Sequence, residues 1–222
     1  MDADAESWFT EHYIKGTIYG GAFDPKICHQ SSKGLFSYFG HLLLDCDEIK
    51  YPLEEVIGTF WVNNLESSKN FPKIVRGMLQ INNSEITRLE TQMEFYGPSI
   101  NFEACNLETL ENFPIIKPST AIVDSDKAIS VNLHGNNLKS LKDINKFIPR
   151  AKILNIDRNP LQSNLLSLLL IKDLKTIHFY DPNSKAGEAM KIIQQHLGEG
   201  KAGIVEAQSE LFDNDLDEFA EF

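Results

Sequence analysis

A five-residue phrase of glycine, any residue, apolar, any residue, apolar recurs in the first half of the chain. Clear copies begin at Gly40, Gly58 and Gly77, and a weaker copy begins at Gly16. The apolar pair continues without the glycine, and its second member falls at positions 44, 62, 81, 102, 133, 156 and 179. Short strands that return about every twenty residues are typical of a solenoid, in which each turn packs on its neighbours.

A second signature follows several of these strands. Two alternating apolar residues are followed three positions later by a polar or small residue, and then by further apolar residues. The residues at this bend are Asp47 in a partial copy, then Ser84, Cys105, Asn136 and Asn159. The strand apolars point inward at period two. A polar side chain at the bend can also point inward and hydrogen-bond the backbone of adjacent turns.

From Gly16 to Tyr180 this phasing resembles the leucine-rich repeat family, in the compact form common in bacterial and phage proteins. The resemblance implies an α/β repeat solenoid with a short parallel β-sheet on the concave face. The convex side should be irregular or carry short helices. Prolines at 52, 72 and 114 favour extended returns in the first half. Helical spacing of apolar residues at 141–148 and 161–169 predicts short helices in the second.

The chain divides into four predicted segments. Residues 1–15 form an N-terminal cap, and residues 16–182 form about seven repeats with an insertion loop near 115–127. A capping helix at 183–198 begins after Ser184 and stops at Gly198. Residues 199–222 form an acidic-hydrophobic tail, joined through a glycine-rich segment that we expect to be flexible.

The net charge of −11 is concentrated in the tail. Positions 206–222 hold seven acidic residues and no basic ones, which leaves the remainder at −4. The absence of a lysine or arginine patch argues against direct nucleic-acid binding. Three cysteines without metal-ligand spacing, and no signal peptide, predict reduced thiols in the cytoplasm. The longest apolar stretch, 165–171, is too short to span a membrane.

No catalytic constellation emerges from the sequence. The six histidines lie outside the known metal-protease and hydrolase motifs, and the Cys28–His29 neighbours in sequence do not place a nucleophile against its base. Gly20–Gly21 lacks the lysine of a phosphate loop. We therefore expect no enzyme activity, no cofactor and no metal site.

The outward strand positions are the predicted binding site. We assign partner binding on the concave face to ten residues: Leu43, Trp61, Asn63, Gln80, Asn101, Asn132, His134, Asn155, His178 and Tyr180. Exposed aromatic side chains beside amides suit a protein-binding surface. The alternative is that the asparagines form an amide ladder that only stabilises the parallel strands.

The tail is a second candidate site. Large apolar residues alternate with carboxylates, and the predicted contacts are Leu211, Phe212, Asp213, Leu216, Phe219 and Phe222. The composition resembles the C-terminal peptides with which phage polymerases and T-even-type late transcription factors engage a sliding clamp. It is also compatible with a general docking peptide, or with a tail that packs on its own solenoid.

These observations predict a non-enzymatic interaction module. We expect a phage or bacterial protein that binds a host, replication or transcription partner in the cytosol through the concave face and the tail. The alternative is an acidic inhibitor that mimics nucleic acid and occupies the basic cleft of a nucleic-acid-binding protein.

Overall fold

The computed structural model describes residues 1–15, 22–117 and 129–222. They form a parallel β-solenoid, which confirms the predicted architecture at that level. The strands are numbered β1 to β13 along the described chain, and seven of them form one sheet in which every neighbouring pair is parallel. These are β3 (Leu42–Asp45), β5 (Phe60–Asn63), β7 (Leu79–Asn82), β9 (Ser99–Glu103), β11 (Ser130–Asn132), β12 (Ile153–Asn155) and β13 (Thr176–His178).

A second, six-stranded sheet lines the first-half returns, where the sequence predicted only extended segments. Its members are β1 (Cys28–Gln30), β2 (Phe36–Tyr38), β4 (Leu53–Val56), β6 (Ile74–Val75), β8 (Glu94–Phe95) and β10 (Ile115–Ile116). The pair β1–β2 is antiparallel and the other pairs are parallel. The strands β6, β8 and β10 have only two residues each, which is too short for an alternating pattern to reveal them.

Glycine opens the strands where consecutive turns approach closely. A Cβ on Gly58, Gly77 or Gly97 would overlap the backbone carbonyl of the glycine one turn earlier, at Gly40, Gly58 and Gly77 respectively. The repeated glycine therefore follows from backbone contact between turns. Gly97 continues this column, although the apolar pair after it, Ile100 and Phe102, comes one residue later than in the phrase.

Buried polar side chains link the turns at the bend, as the sequence signature predicted. Asn136 donates through Nδ2 to the carbonyl oxygens of Phe102 and Leu133, at 2.6 and 2.9 Å. Its Oδ1 accepts from the backbone N–H groups of Cys105 and Leu107, at 3.2 and 2.9 Å. In the first turn, Cys46 is buried and Asp47 is exposed, so the partial copy places its polar residue outside the core.

Asn159 repeats this arrangement one turn later. Its Nδ2 donates to the carbonyl oxygens of Leu133 and Ile156, at 2.8 and 2.9 Å. Its Oδ1 accepts from the backbone N–H of Leu138 at 3.1 Å. Each asparagine thus binds two successive turns, which couples them in the folded state.

The second-half returns are short helices. Helix α2 spans Ile144–Phe147, and a 3-10 helix spans Leu165–Leu170. Their apolar residues at helical spacing enter the core, including Ile144 and Leu165, both fully buried. The predicted insertion near 115–127 lies mostly outside the described residues, as do the weak glycine copy at 16–20 and Gly20–Gly21.

The first turn is covered by helix α1 (Ala3–His12) and the residues after it. Asp2 caps the helix by accepting from the N–H of Ala5 at 2.8 Å. Phe9 is buried, with its ring stacked on that of Phe23. The N–H of Ile14 donates to the carbonyl of Leu43 at 2.9 Å, so this segment occupies the edge of β3.

Two helices cover the other end. Helix α3 spans Lys185–Gln195, begins after the capping side chain of Ser184, and places Gln194 Nε2 3.1 Å from the carbonyl oxygen of Ile177 in β13. Helix α4 spans Gly200–Asp213 and packs against the 3-10 helix at Leu165–Leu170. A final 3-10 helix covers Asp217–Phe219. Among the described residues, no helix combines the length and apolar character needed to cross a membrane.

Candidate protein-binding face

The outer face of the seven-stranded sheet carries two register-aligned columns, which we call the polar face. The central column is Leu43, Trp61, Gln80, Asn101, Asn132, Asn155 and His178. The flanking column, two residues further along each turn, is Asp45, Asn63, Asn82, Glu103, His134, Asp157 and Tyr180. The structure therefore brings together the ten residues that the sequence assigned to this face.

Leu43 corrects the predicted site. Its side chain is fully buried, because the N-terminal segment lies along β3 and covers this end of the sheet. Leu43 therefore belongs to the core and offers no surface to a partner. The accessible part of the polar face begins at Trp61, which is partly buried, and ends at Tyr180, which is 79% exposed.

Two asparagines of the central column use their side chains to hydrogen-bond the backbone. Asn132 Oδ1 accepts from the N–H of His134, and Asn155 Oδ1 accepts from the N–H of Asp157, each at 3.1 Å. These hydrogen bonds stabilise the turns that follow the strands, so Asn132 and Asn155 contribute to the fold as well as to the surface. Asn101 Oδ1 is buried without a hydrogen-bond partner among the described residues.

The charge of the polar face is one-sided. Of its fourteen positions, all within the described chain, none holds a lysine or arginine, and three hold carboxylates: Asp45, Glu103 and Asp157. Asp157 accepts from the N–H of Tyr180 at 2.9 Å and lies 3.6 Å from His134 Nδ1. The face therefore presents carboxylates with few compensating charges.

The six-stranded sheet differs, because its outer face pairs opposite charges between turns. Lys73 lies 2.9 Å from Glu54, and Lys117 lies 3.3 Å from Glu94. This neutralised surface contrasts with the polar face. Phe39, directly after β2 of this sheet, is 52% exposed and provides an aromatic residue away from the polar face.

The tail is folded against the molecule. Leu211, Leu216 and Phe219 are buried, which corrects the prediction that they are available to a partner. The last turn of a solenoid has an open apolar end, and these side chains cover it. The segment read as a flexible glycine joint is the first turn of α4, with buried positions 203, 207 and 211 at helical spacing. Phe212, Asp213 and Phe222 remain exposed.

The cysteine thiols are poorly placed for nucleophilic chemistry. Burial raises the pKa of Cys28 to about 11 and the pKa values of Cys46 and Cys105 to about 12. The nucleophilic thiolate is therefore scarce at neutral pH. All three cysteines are free.

One histidine and three glutamates form a cluster between α3 and α4 that the sequence did not predict. His196 is buried, and its ring nitrogens face Glu199, Glu206 and Glu210. Hydrogen bonding to Glu199, with Glu210 adding to it, raises the pKa of His196. The four-residue spacing of Glu206 and Glu210 could have indicated this cluster, because it places both carboxylates on one face of a helix. It does so only if the segment is helical, whereas the sequence predicted an acidic-hydrophobic tail joined through a flexible segment.

Comparison of the chain with protein-family models, curated proteins and solved structures found no match.

Proposed function

We propose that the protein is a non-enzymatic interaction module that binds a protein partner through the polar face. One observation carries this proposal: a register-aligned, accessible sheet face combines two aromatic residues, Trp61 and Tyr180, with carboxylates and no basic residue. Aromatic anchors within a polar surround are characteristic of protein-binding surfaces.

The charge of the polar face indicates the chemistry of the partner. Asp45, Glu103 and Asp157 disfavour an acidic surface and favour one that carries lysine or arginine. Trp61 offers its ring as an apolar contact, and Tyr180 offers a ring with a hydroxyl group. The partner we propose is a protein surface with basic side chains beside an apolar residue.

The leucine-rich-repeat likeness predicted from the sequence is part of this proposal. The buried asparagines Asn136 and Asn159 support a leucine-rich-repeat-like solenoid, because both bind the backbone of neighbouring turns. A phage or bacterial origin and a cytoplasmic location stay predictions from the sequence. Clamp binding by the tail also stays a prediction, and it would require Leu211 and Phe219 to leave the core.

The polar face is tested by affinity capture from native cytosol with three single-residue variants as bait. Trp61→Ala and Tyr180→Ala should each lose the captured protein, and its purified form should bind each variant at least about tenfold more weakly. Phe39→Ala removes an exposed aromatic residue from the other sheet and should bind like the wild type. Equal binding by all three variants would reject the polar face as the interface.

The acidic C-terminal region supports a second candidate, a mimic of nucleic acid. Its carboxylates lie on the surface of the helical cap, with the side chains of Glu206 and Glu218 66% and 42% exposed. Such an inhibitor would depend on charge alone, so its affinity should fall steeply with salt. Replacing the carboxylates of the helical cap with amides should weaken the binding of such an inhibitor, whereas Tyr180→Ala should leave it unchanged. Binding through the polar face predicts the reverse.

A further inference from the structure

Four ionisable side chains meet where the chain passes from α3 to α4. His196 follows α3, Glu199 precedes α4, and Glu206 and Glu210 lie one turn apart on α4. His196 Nδ1 is 2.8 Å from Glu199 Oε2 and 3.8 Å from Glu206 Oε2. His196 Nε2 is 3.0 Å from Glu210 Oε1. The histidine is only 8% exposed, so its ring orientation is fixed by these contacts and by packing.

The two sides of the imidazole ring have different roles in this arrangement. Glu210 Oε1 lies within hydrogen-bonding distance of Nε2, and it accepts from Nε2 in the neutral tautomer that carries the proton there. Nδ1 then directs its lone pair at the carboxylates of Glu199 and Glu206. A lone pair facing two carboxylates is repulsive unless a cation lies between them, and that cation is either a proton or a metal ion.

The backbone leaves room for this convergence at Gly203. A Cβ on Gly203 would lie 2.6 Å from Glu199 Cβ and 2.9 Å from Glu199 Oε2. The missing side chain lets the Glu199 carboxylate fold back along α4 toward His196. The glutamate is therefore held beside the imidazole by the packing of the helix.

We propose that His196 Nδ1, Glu199 and Glu206 form a site for a zinc ion, with Glu210 orienting the imidazole from the other side. Tetrahedral zinc with ligands at 2.0–2.2 Å needs ligand atoms about 3.4 Å apart. The separations of 2.8 and 3.8 Å from Nδ1 lie on either side of that value and need only small side-chain shifts. The imidazole nitrogen favours zinc over magnesium and calcium, which prefer oxygen ligands.

The surroundings supply the other requirements of such a site. Glu210 on Nε2 gives the carboxylate–histidine–metal arrangement that fixes the tautomer of a ligating imidazole. The side chains of Glu199 and Glu206 are 48% and 66% exposed, so an ion can enter from solvent. Because the ligands come from both sides of the α3–α4 connection, the ion would hold the two capping helices together.

Zinc chloride added to the full-length, tag-free protein tests the site. Calorimetry should show one ion per chain, with the histidine contributing a selectivity over magnesium of at least about a hundredfold. Zinc at about one hundred times its Kd should raise the Tm by about 5 to 10 °C. No binding at 100-fold excess over protein, or equal binding of magnesium, would overturn the proposal.

Variants separate this site from other zinc-binding groups. Glu206→Gln removes an exposed ligand and should weaken zinc binding at least about tenfold, and His196→Gln should abolish it. Glu221→Gln makes the same change of charge at an exposed carboxylate that is not one of the three facing His196, and it should bind like the wild type. His134→Gln removes another histidine that lies beside a carboxylate, and it should also leave binding intact. Zinc binding that survives Glu206→Gln and His196→Gln would contradict the assignment.

Discussion

At the residue scale, each of the five interior strands of the larger sheet is followed within three residues by a residue in the left-handed conformation. The positions are Asn64, Asn83, Ala104, Gly135 and Arg158, with φ between 49° and 66°. Asparagine and glycine tolerate this conformation, whereas alanine and arginine are strained by their Cβ atoms. The repeat therefore requires a backbone shape at this position, and two of the five turns adopt it at a cost in stability.

Exchanging alanine and glycine at two of these positions should change stability in opposite directions. Ala104→Gly relieves the left-handed strain and should stabilise the protein by about 0.5–1 kcal/mol, after the larger unfolded-state entropy of glycine. Gly135→Ala adds that strain and should destabilise it by about 1 kcal/mol. The nearest atom to a Cβ at Gly135 is 3.8 Å away, so no collision complicates the result.

Urea denaturation measures both changes. Shifts of the same sign would show that backbone conformation does not control stability at this turn.

The inward asparagine is the second residue-scale feature with a measurable effect. Asn136→Ala removes five hydrogen bonds and leaves buried backbone groups of two turns unsatisfied. The expected loss is about 3 kcal/mol. Asn137→Ala alters the exposed neighbour and should change stability by under about 0.5 kcal/mol. Similar midpoints for the two variants in urea would show that the buried amide contributes little.

At the element scale, the sequence predicts the strands of the larger sheet well and the surrounding elements less well. Glycine and the alternating apolar pair locate β3, β5 and β7, and in β5 and β7 buried positions alternate with partly buried ones. The smaller sheet has strands as short as Ile74–Val75, which carry no period. The burial of Leu43 depends on Ile14 and its neighbours, 29 residues earlier in the chain, and strand alternation does not report such contacts.

Composition alone does not predict the conformation of the C-terminal segment. Carboxylates interleaved with large apolar residues are typical of a docking peptide, and also of an amphipathic helix that packs on its own chain. Position decides between them, because the last turn of the solenoid lies next to α4. The contacts of His196 could not be predicted for the same reason, since Glu206 and Glu210 face it together only when α4 is helical.

Two adjacent residues of α4 separate capping from docking. Leu211→Ala should destabilise the protein by about 2–5 kcal/mol, because its side chain is fully buried. Phe212→Ala should alter stability by under about 0.5 kcal/mol, because half of that side chain is exposed. Thermal and urea unfolding report both values. A silent Leu211→Ala would mean that the tail does not cap the solenoid in solution.

At the scale of the whole molecule, the two halves use different means of closing each turn. The first half returns through a second sheet with ion pairs between turns, and the second returns through short helices. Both ends of the larger sheet are occupied, by the segment after α1 at β3 and by α3 at β13. The covered edges disfavour end-to-end association of copies and leave the polar face as the open surface of that sheet.

The glycine column also defines how this array could lengthen. Each glycine fits against the one before it, so the turns from Gly40 to Gly97 are interlocking copies spaced 18, 19 and 20 residues apart. Duplicating residues 58–76 would insert a complete unit that recreates the same contact on both sides. A partial insertion would set a Cβ against a carbonyl. Growth or loss by whole turns is therefore the change in length that this half of the protein can accommodate.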